Sequence, residues 1–160
     1  MKKKVIFPLF LLLCIIAQLT FGEWMQFKGI KPDFFLILVI FWAWDKRWKS
    51  GLIGGFLVGV TKDILFSPLL GLNAFSFSLL GFLVGEIRER IYGENIFLFL
   101  IVVGLISILN EVIVSLWLFI FHISSFLKEF PLPLFISLYN SLLSFFIFLI
   151  LNKRKQREFI

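Results

Sequence analysis

The strongest constraint on the fold of this chain is a pair of apolar segments between residues 51 and 85. The first segment carries residues at intervals of four, which return to nearly the same face of a helix: Gly51, Gly55, Gly59 and Asp63. The second segment carries a similar stripe of small residues: Ala74, Ser78, Gly81 and Gly85. Small residues let two helix backbones approach closely inside a lipid bilayer. The two stripes therefore predict a closely packed helical hairpin within a membrane.

The tip of this hairpin combines turn residues with polar side chains. Ser-Pro at 67–68 and Gly71 favour a turn, and we expect a polar cluster beside it, formed by Lys62, Asp63 and Asn73. The glycines are interpreted as packing residues, whereas Val58 lies off the stripe and is expected to tolerate leucine. A carboxylate near the end of an apolar span is costly and usually has a partner. Asp63 is therefore either paired within the protein or offered to another protein.

The composition places the chain among integral membrane proteins. The chain has 160 residues, of which 60% are hydrophobic and 23 are phenylalanine, whereas soluble domains are about 45–50% apolar. Its net charge of +6 does not indicate nucleic-acid binding, because the basic residues cluster at the ends of the apolar segments. Basic flanks of this kind are typical of the cytoplasmic side of a membrane protein. We expect a single transmembrane domain over residues 1–160.

The apolar segments predict an all-α, polytopic integral membrane protein with six transmembrane helices. They cover residues 5–21, 32–48, 51–66, 72–86, 96–122 and 134–151. Segment 32–48 is close to the minimum of about 17 residues for a spanning helix, so a thin, tilted or partly re-entrant segment is expected there. Six spans leave only Lys28, Lys31 and Lys128 in outer loops. Most other basic residues lie at the opposite ends of the spans, which predicts that both termini are cytoplasmic.

The sequence contains no recognisable catalytic or metal-binding pattern. Cys14 is the one cysteine and His122 the one histidine, so neither an internal disulfide nor a histidine-based metal site or catalytic triad is expected. Paired carboxylates, a nucleophile with an adjacent base and a phosphate-binding loop are not evident. The serines of the last two spans, including Ser107, are assigned to helix packing. We therefore expect no enzymatic activity, no cofactor and no metal.

Polar residues within or beside the apolar segments are the candidates for function. Asp33 and Lys31 lie at the same end as the hairpin tip and are candidate partners for its charges. Asn110 and Glu111 lie near the middle of the fifth span, and Asn140 lies inside the sixth. Glu111 is expected to be protonated, hydrogen-bonded to a group such as Asn140, or facing a cavity. A proton or substrate path, or a site for a partner's helix, stays open.

Two stretches of the chain resemble a known family. They are KPDFFLILVIFWAW at 31–44 and GGFLVGVTKDILFSPLLGLNAFSFSLLGFLVG at 54–85. The Pro-Asp before an aromatic-rich span, the Gly-x-x-x-Gly-x-x-x-Asp run and the following Leu-Gly-x-Asn-Ala are similar to the bacterial rod shape-determining protein family MreD. Lys62 stands where that pattern leads us to expect a neutral polar residue.

The resemblance implies a scaffold of the cell-elongation (rod) complex in the bacterial cytoplasmic (inner) membrane, which supports cell shape and peptidoglycan synthesis. Such proteins work with the bitopic protein MreC, alongside a transpeptidase, a glycosyltransferase and the actin-like MreB filament. The family is similar in fold to the substrate-binding subunits of energy-coupling-factor transporters, so a vitamin-binding subunit is the alternative. Short outer loops and few polar residues favour the scaffold, because a ligand pocket needs several convergent polar groups. A channel or proton-coupled transporter would depend on Asp63 and Glu111.

Overall fold

The computed structural model describes residues 2–24, 31–67, 69–91, 95–122 and 132–157, and all of its regular structure is helical. The helices are α1 (Lys2–Trp24), α2 (Phe34–Lys46), α3 (Trp48–Phe66), α4 (Leu72–Arg90), α5 (Ile96–Ile120) and α6 (Leu132–Arg157). The predicted all-α class is confirmed for these residues. Each helix overlaps one of the six apolar segments that the sequence predicts.

Helix α5 is the one described helix that is both long enough and apolar enough to cross a membrane. Its 25 residues extend about 37 Å, more than the roughly 30 Å of a bilayer's hydrocarbon core. Shorter apolar stretches occur at Phe7–Gly22 in α1 and Leu134–Ile150 in α6. The six crossings and the cytoplasmic position of both termini stay predictions.

Helix α2 is short and lies at the centre of the bundle. Its 13 residues extend only about 20 Å, and six of its side chains are buried: Phe35, Leu36, Ile37, Val39, Ile40 and Ala43. The helix is shorter than the predicted segment 32–48 because Arg47 breaks it. Arg47 has a φ of 77°, and α3 begins at the next residue, so α2 and α3 meet at a tight corner. We call residues 44–49 the α2–α3 corner.

The glycine stripe lies at the interface between α3 and α4, which pack more closely than any other pair of described helices. A Cβ atom added at Gly51, Gly55 or Gly59 would overlap the backbone of α4 at Gly81, Phe77 or Asn73, respectively. A Cβ atom at Gly85 would likewise overlap the backbone of Trp48. Because backbone rather than a flexible side chain fills this space, the two helices cannot keep their separation if the glycines are enlarged.

The other members of the stripe and its expected control position differ in their environments. Ala74 is buried, and Ser78 donates a hydrogen bond to the Leu52 carbonyl oxygen at 3.2 Å. Val58 was expected to tolerate leucine, but it is 0% exposed and belongs to the core. The premise that position 58 lies outside a packed interface is wrong, because α3 turns two faces inward: the glycines meet α4, while Val58 packs into the central apolar core.

Candidate functional site

Asp63, near the end of α3, binds the start of α4. Its Oδ2 atom accepts hydrogen bonds from the backbone N–H groups of Gly71 at 3.0 Å and Ala74 at 2.9 Å. Its Oδ1 atom accepts from the backbone N–H of Asn73 at 3.0 Å and from the Asn73 side chain at 2.8 Å. The first N–H groups of a helix have no partner within that helix, and a negative charge there is favourable. Asp63 thus caps α4 from the preceding helix.

Lys62 and Asp33 form an ion pair beside this cap. The Lys62 Nζ atom donates to Asp33 Oδ2 at 2.6 Å, and it also lies 4.9 Å from the centre of the Phe77 ring. The other carboxylate oxygen of Asp33 accepts from the backbone N–H of Leu36 at 3.1 Å, which caps α2. The side chains of Lys62 and Asp33 are 21% and 10% exposed. Desolvated charges of this kind stabilise a protein only while both partners are present.

Asn140 and Gln18 attach α6 and α1 to the start of α2. Asn140 Oδ1 accepts from the backbone N–H of Asp33 at 2.9 Å, and its Nδ2 atom donates to Ser107 Oγ on α5 at 3.2 Å. Gln18 Oε1 accepts from the backbone N–H of Phe34 at 3.1 Å. Its Nε2 atom donates to the carbonyl oxygen of residue 32 at 3.3 Å. Amide side chains from α1 and α6 therefore bind the start of α2, and Asn140 also connects it to α5.

A second polar contact joins α4 to α5. Ser76 Oγ donates to Asn110 Oδ1 at 2.8 Å, and both residues are buried. Asn110 Nδ2 donates to Oε1 of the adjacent Glu111 at 3.4 Å. Glu111 was considered a partner of Asn140, but the hydrogen bonds of Asn140 go to Asp33 and Ser107. The amide of Asn110 thus connects Glu111 to α4.

The structure brings most of the predicted polar residues into direct contact. Lys62 pairs with Asp33, and Asp63 binds Asn73. Asn140 binds the backbone N–H of Asp33, at the start of α2. Sequence reasoning missed Gln18 and Ser76. Gln18 stands out in hindsight as a primary amide in the apolar run of α1, whereas one serine in an apolar helix gives no comparable signal.

These contacts hold helices together, and the described residues offer little beyond that for chemistry. Among them, no group of three or more metal-ligating side chains comes together. Within the described part of the chain, two buried polar atoms have no protein partner, Asn73 Oδ1 and Ser144 Oγ. Buried atoms of this type commonly bind an ordered water. The geometry is that of a network that fixes the relative positions of α1 to α6, which we call the polar network.

Fold and site together define a class: an all-helical protein with a membrane-capable helix, whose helix termini are tied by buried polar contacts. A comparison of the sequence with models of known protein families identifies the particular family. The chain belongs to the rod shape-determining protein MreD family, whose model matches residues 2–154. No curated protein and no solved structure matches the chain.

Membership confirms the resemblance read from the two glycine- and aspartate-containing stretches. It assigns the protein to rod shape determination, as a structural, membrane-associated shape protein rather than a member of a known enzyme family. The match covers almost the whole chain. It includes most of the last two helices, which contain none of the motifs that carry the resemblance.

Proposed function

We propose that this protein is a non-enzymatic scaffold of the bacterial cell-elongation complex, embedded in the inner membrane by six spans with both termini in the cytoplasm. Family membership supports the role in cell shape, and α5 supports the membrane location. The excess of basic residues at one set of segment ends supports the orientation. The protein acts by holding another membrane protein in place.

The partner in this proposal is an MreC-like protein with a single membrane span. Through it the scaffold supports peptidoglycan synthesis by the transpeptidase and glycosyltransferase of the complex, in step with the actin-like MreB filament. A scaffold needs a surface whose geometry does not change when the partner arrives, since ordering on binding reduces affinity. The proposal therefore depends on rigidity in the helices that carry the surface.

The observation that carries the proposal is the engagement of Asp63. Its carboxylate accepts four hydrogen bonds from the turn and the first residues of α4. Asp63 is 2% exposed, and its stripe of glycines holds α3 against α4. Hydrogen bonds from N–H groups to an ionised carboxylate are short and strong, so these contacts fix the turn and the start of α4 against α3. The hairpin is thus a fixed element, and Asp63 belongs to its interior rather than to a surface offered to the partner.

Capture from native membranes tests this proposal. The tagged protein is expressed at its native level, extracted in mild detergent and captured, and the bound proteins are identified by mass spectrometry. We expect an MreC-like protein to be enriched, together with other elongation proteins. An unrelated polytopic protein with the same tag and abundance is the control. Equal recovery of elongation proteins with both baits would contradict the proposed scaffold.

The same preparation distinguishes a vitamin-binding subunit from a scaffold. A transport subunit retains a small molecule through purification, and mass spectrometry of the denatured protein would release it. Depletion of the protein separates the two functions in cells: loss of a scaffold rounds the cells, whereas loss of a vitamin transporter is corrected by adding the vitamin. Rescue of growth and shape by a vitamin would replace the proposed function with the transport function.

A further inference from the structure

Aromatic rings and basic side chains meet at the α2–α3 corner. The Lys49 Nζ atom lies 5.2 Å from the centre of the Trp48 ring, and the Arg88 guanidinium of α4 lies 5.1 Å from the Trp44 ring. Cations over indole faces at these distances are attracted to the rings. Arg47, which lies between Trp44 and Trp48 in the sequence, is exposed. Three helix ends therefore present positive charge on one small surface.

This surface has a fixed shape. The backbone N–H of Arg47 donates to the Ala43 carbonyl oxygen at 3.1 Å, and its own carbonyl oxygen accepts from the Gly51 N–H at 2.9 Å. The end of α4 is pressed against the corner at Gly85, where a Cβ atom would overlap the backbone of Trp48. The cations of the corner are thus carried on hydrogen-bonded backbone rather than on a loose loop.

Two of the basic residues have no carboxylate partner among the described residues. Lys46 is paired with Asp45, and Arg90 is paired with Glu86 at 2.8 Å. Arg47 and Lys49 form no ion pair within the described part of the chain and are both exposed. An anion that approached the corner would therefore meet two uncompensated positive charges.

Arg47 has a backbone conformation that favours glycine. Its φ of 77° and ψ of 173° fall in a region that non-glycine residues enter only with strain. A glycine would adopt these angles without that cost. The chain instead has an arginine at this position. Residues with strained backbone conformations cluster at functional sites, which suggests a role for the Arg47 side chain.

An apolar stripe begins one turn below these charges. Leu52, Ile53 and Phe56 follow Lys49 at intervals of three, four and seven, which lie on one face of a helix. Their exposed fractions are 39%, 59% and 51%. A cation at the helix end followed by an exposed apolar stripe along the helix axis complements an amphiphile with an anionic head and a hydrocarbon tail.

We propose that the α2–α3 corner binds an anionic glycerophospholipid. Arg47 and Lys49 contact the phosphate, Trp44 and Trp48 lie at the level of the headgroup, and an acyl chain follows Leu52, Ile53 and Phe56. This inference rests on the proposed membrane location of the protein. A lipid fits better than an acidic peptide, because a peptide would use the charges but leave the apolar stripe without a partner.

Native mass spectrometry of the full-length protein in neutral detergent tests the site. The protein is titrated with palmitoyl-oleoyl phosphatidylglycerol or phosphatidylcholine, and the binding constant of the first lipid is measured. The test variant is Arg47→Gln/Lys49→Gln. The matched control is Lys46→Gln/Arg90→Gln, which removes the same charge from residues that are already ion-paired. Circular dichroism and gel filtration verify that both variants are folded.

We expect the wild-type protein to prefer phosphatidylglycerol. Each basic residue near an anionic lipid surface contributes about fivefold to binding, so the test variant should lose about 25-fold in phosphatidylglycerol binding and little in phosphatidylcholine binding. The control variant should change by less than about threefold. Equal losses of phosphatidylglycerol binding in the test and control variants would mean that the lipid is attracted by the overall charge. Equal binding of the two lipids by the wild-type protein would mean that the corner is not a site for anionic lipid. Either result overturns the proposal.

Two further variants separate the head and the tail of the lipid. Arg47→Gly should weaken phosphatidylglycerol binding yet raise the melting temperature in phosphatidylcholine, because it relieves the backbone strain. Ile53→Ser/Phe56→Ser should weaken binding of both lipids. An aspartate-rich soluble peptide that binds through Arg47 and Lys49, without any phosphatidylglycerol binding, would assign the corner to a protein partner instead. Because lipid binding is measured on the isolated protein, its failure is distinct from failure to capture an MreC-like protein.

Discussion

The Lys62 ammonium group lies 2.6 Å from the Asp33 carboxylate, and this contact joins the end of α3 to the start of α2 across 29 residues of sequence. Asp33 has a second role, because its other oxygen caps α2 at the backbone N–H of Leu36. The ion pair with Lys62 and the cap of α2 therefore depend on the same side chain. The pair can be dissected because asparagine retains the cap but removes the charge.

A double-mutant cycle on this pair should show strong coupling. Lys62→Met leaves a mostly buried carboxylate without its cation, which typically costs about 3–5 kcal/mol. Asp33→Asn/Lys62→Met removes both charges, so it should be more stable than Lys62→Met alone despite carrying one more substitution. The measurement is thermal unfolding of the purified variants in detergent. A double variant whose destabilisation equals the sum of the two single effects would show that the pair contributes nothing.

Asp63→Asn should destabilise the hairpin and lower the amount of protein in the membrane. The asparagine amide turns a donor toward the N–H groups that the carboxylate now accepts, and hydrogen bonds to a charged group contribute about 1.5–3 kcal/mol. Abundance in membranes and the melting temperature in detergent are the two measurements. Asp45→Asn is the control, since Asp45 is an exposed carboxylate. Normal abundance of Asp63→Asn with loss of the proposed MreC-like partner would instead place Asp63 at the interface.

The hairpin was predictable because its signal is geometric. Glycines at intervals of four place a bare stripe on one helix face, and the sequence alone placed Asp63 and Asn73 together at its tip. The destination of the Asp63 carboxylate was not predictable. A carboxylate in an apolar segment requires a partner. Here the partners are backbone N–H groups of another helix, which every residue except proline has, so the sequence does not identify them.

Asp33 was predictable as a candidate partner of the hairpin tip, but other contacts between distant segments and the exact helix ends were beyond sequence reasoning. The corner at Arg47 depends on a positive φ at a residue type that does not indicate one. The burial of Val58 depends on α3 packing on two sides at once, which a single stripe does not reveal. The pairing of Asn140 with Asp33 spans 107 residues, and only the tertiary arrangement of α2 and α6 determines it.

Alanine at the stripe glycines should destabilise the protein, although alanine is the better helix former. At Gly55 or Gly59 an added methyl group would overlap the α4 backbone, and overpacking of this kind typically costs about 1–3 kcal/mol. Gly104→Ala is the matched control, because its Cβ atom would meet only Ser141 Oγ at an ordinary 3.4 Å. The control should melt at or above the wild-type temperature. If all three variants melt together, the glycines are not packing residues.

Cysteine labelling on helix α3 tests the orientation of the protein in the membrane. Ser50 and Ser67 are both half-buried and lie about 26 Å apart along the helix, close to the thickness of a bilayer core. In a Cys14→Ser background, cysteine at position 67 should react with an impermeant thiol reagent in intact cells, whereas cysteine at position 50 should react only after the cells are permeabilised.

The same scheme extends to positions outside the described residues. Cysteine at Lys28 or Lys128 should behave like position 67, and cysteine at Gly93 like position 50. These assignments follow from the basic residues, which favour the cytoplasmic side. Labelling of position 50 in intact cells, with protection of position 67, would reverse the proposed orientation. Labelling of both positions in intact cells would mean that α3 does not cross the membrane, and the six-span topology would then be wrong.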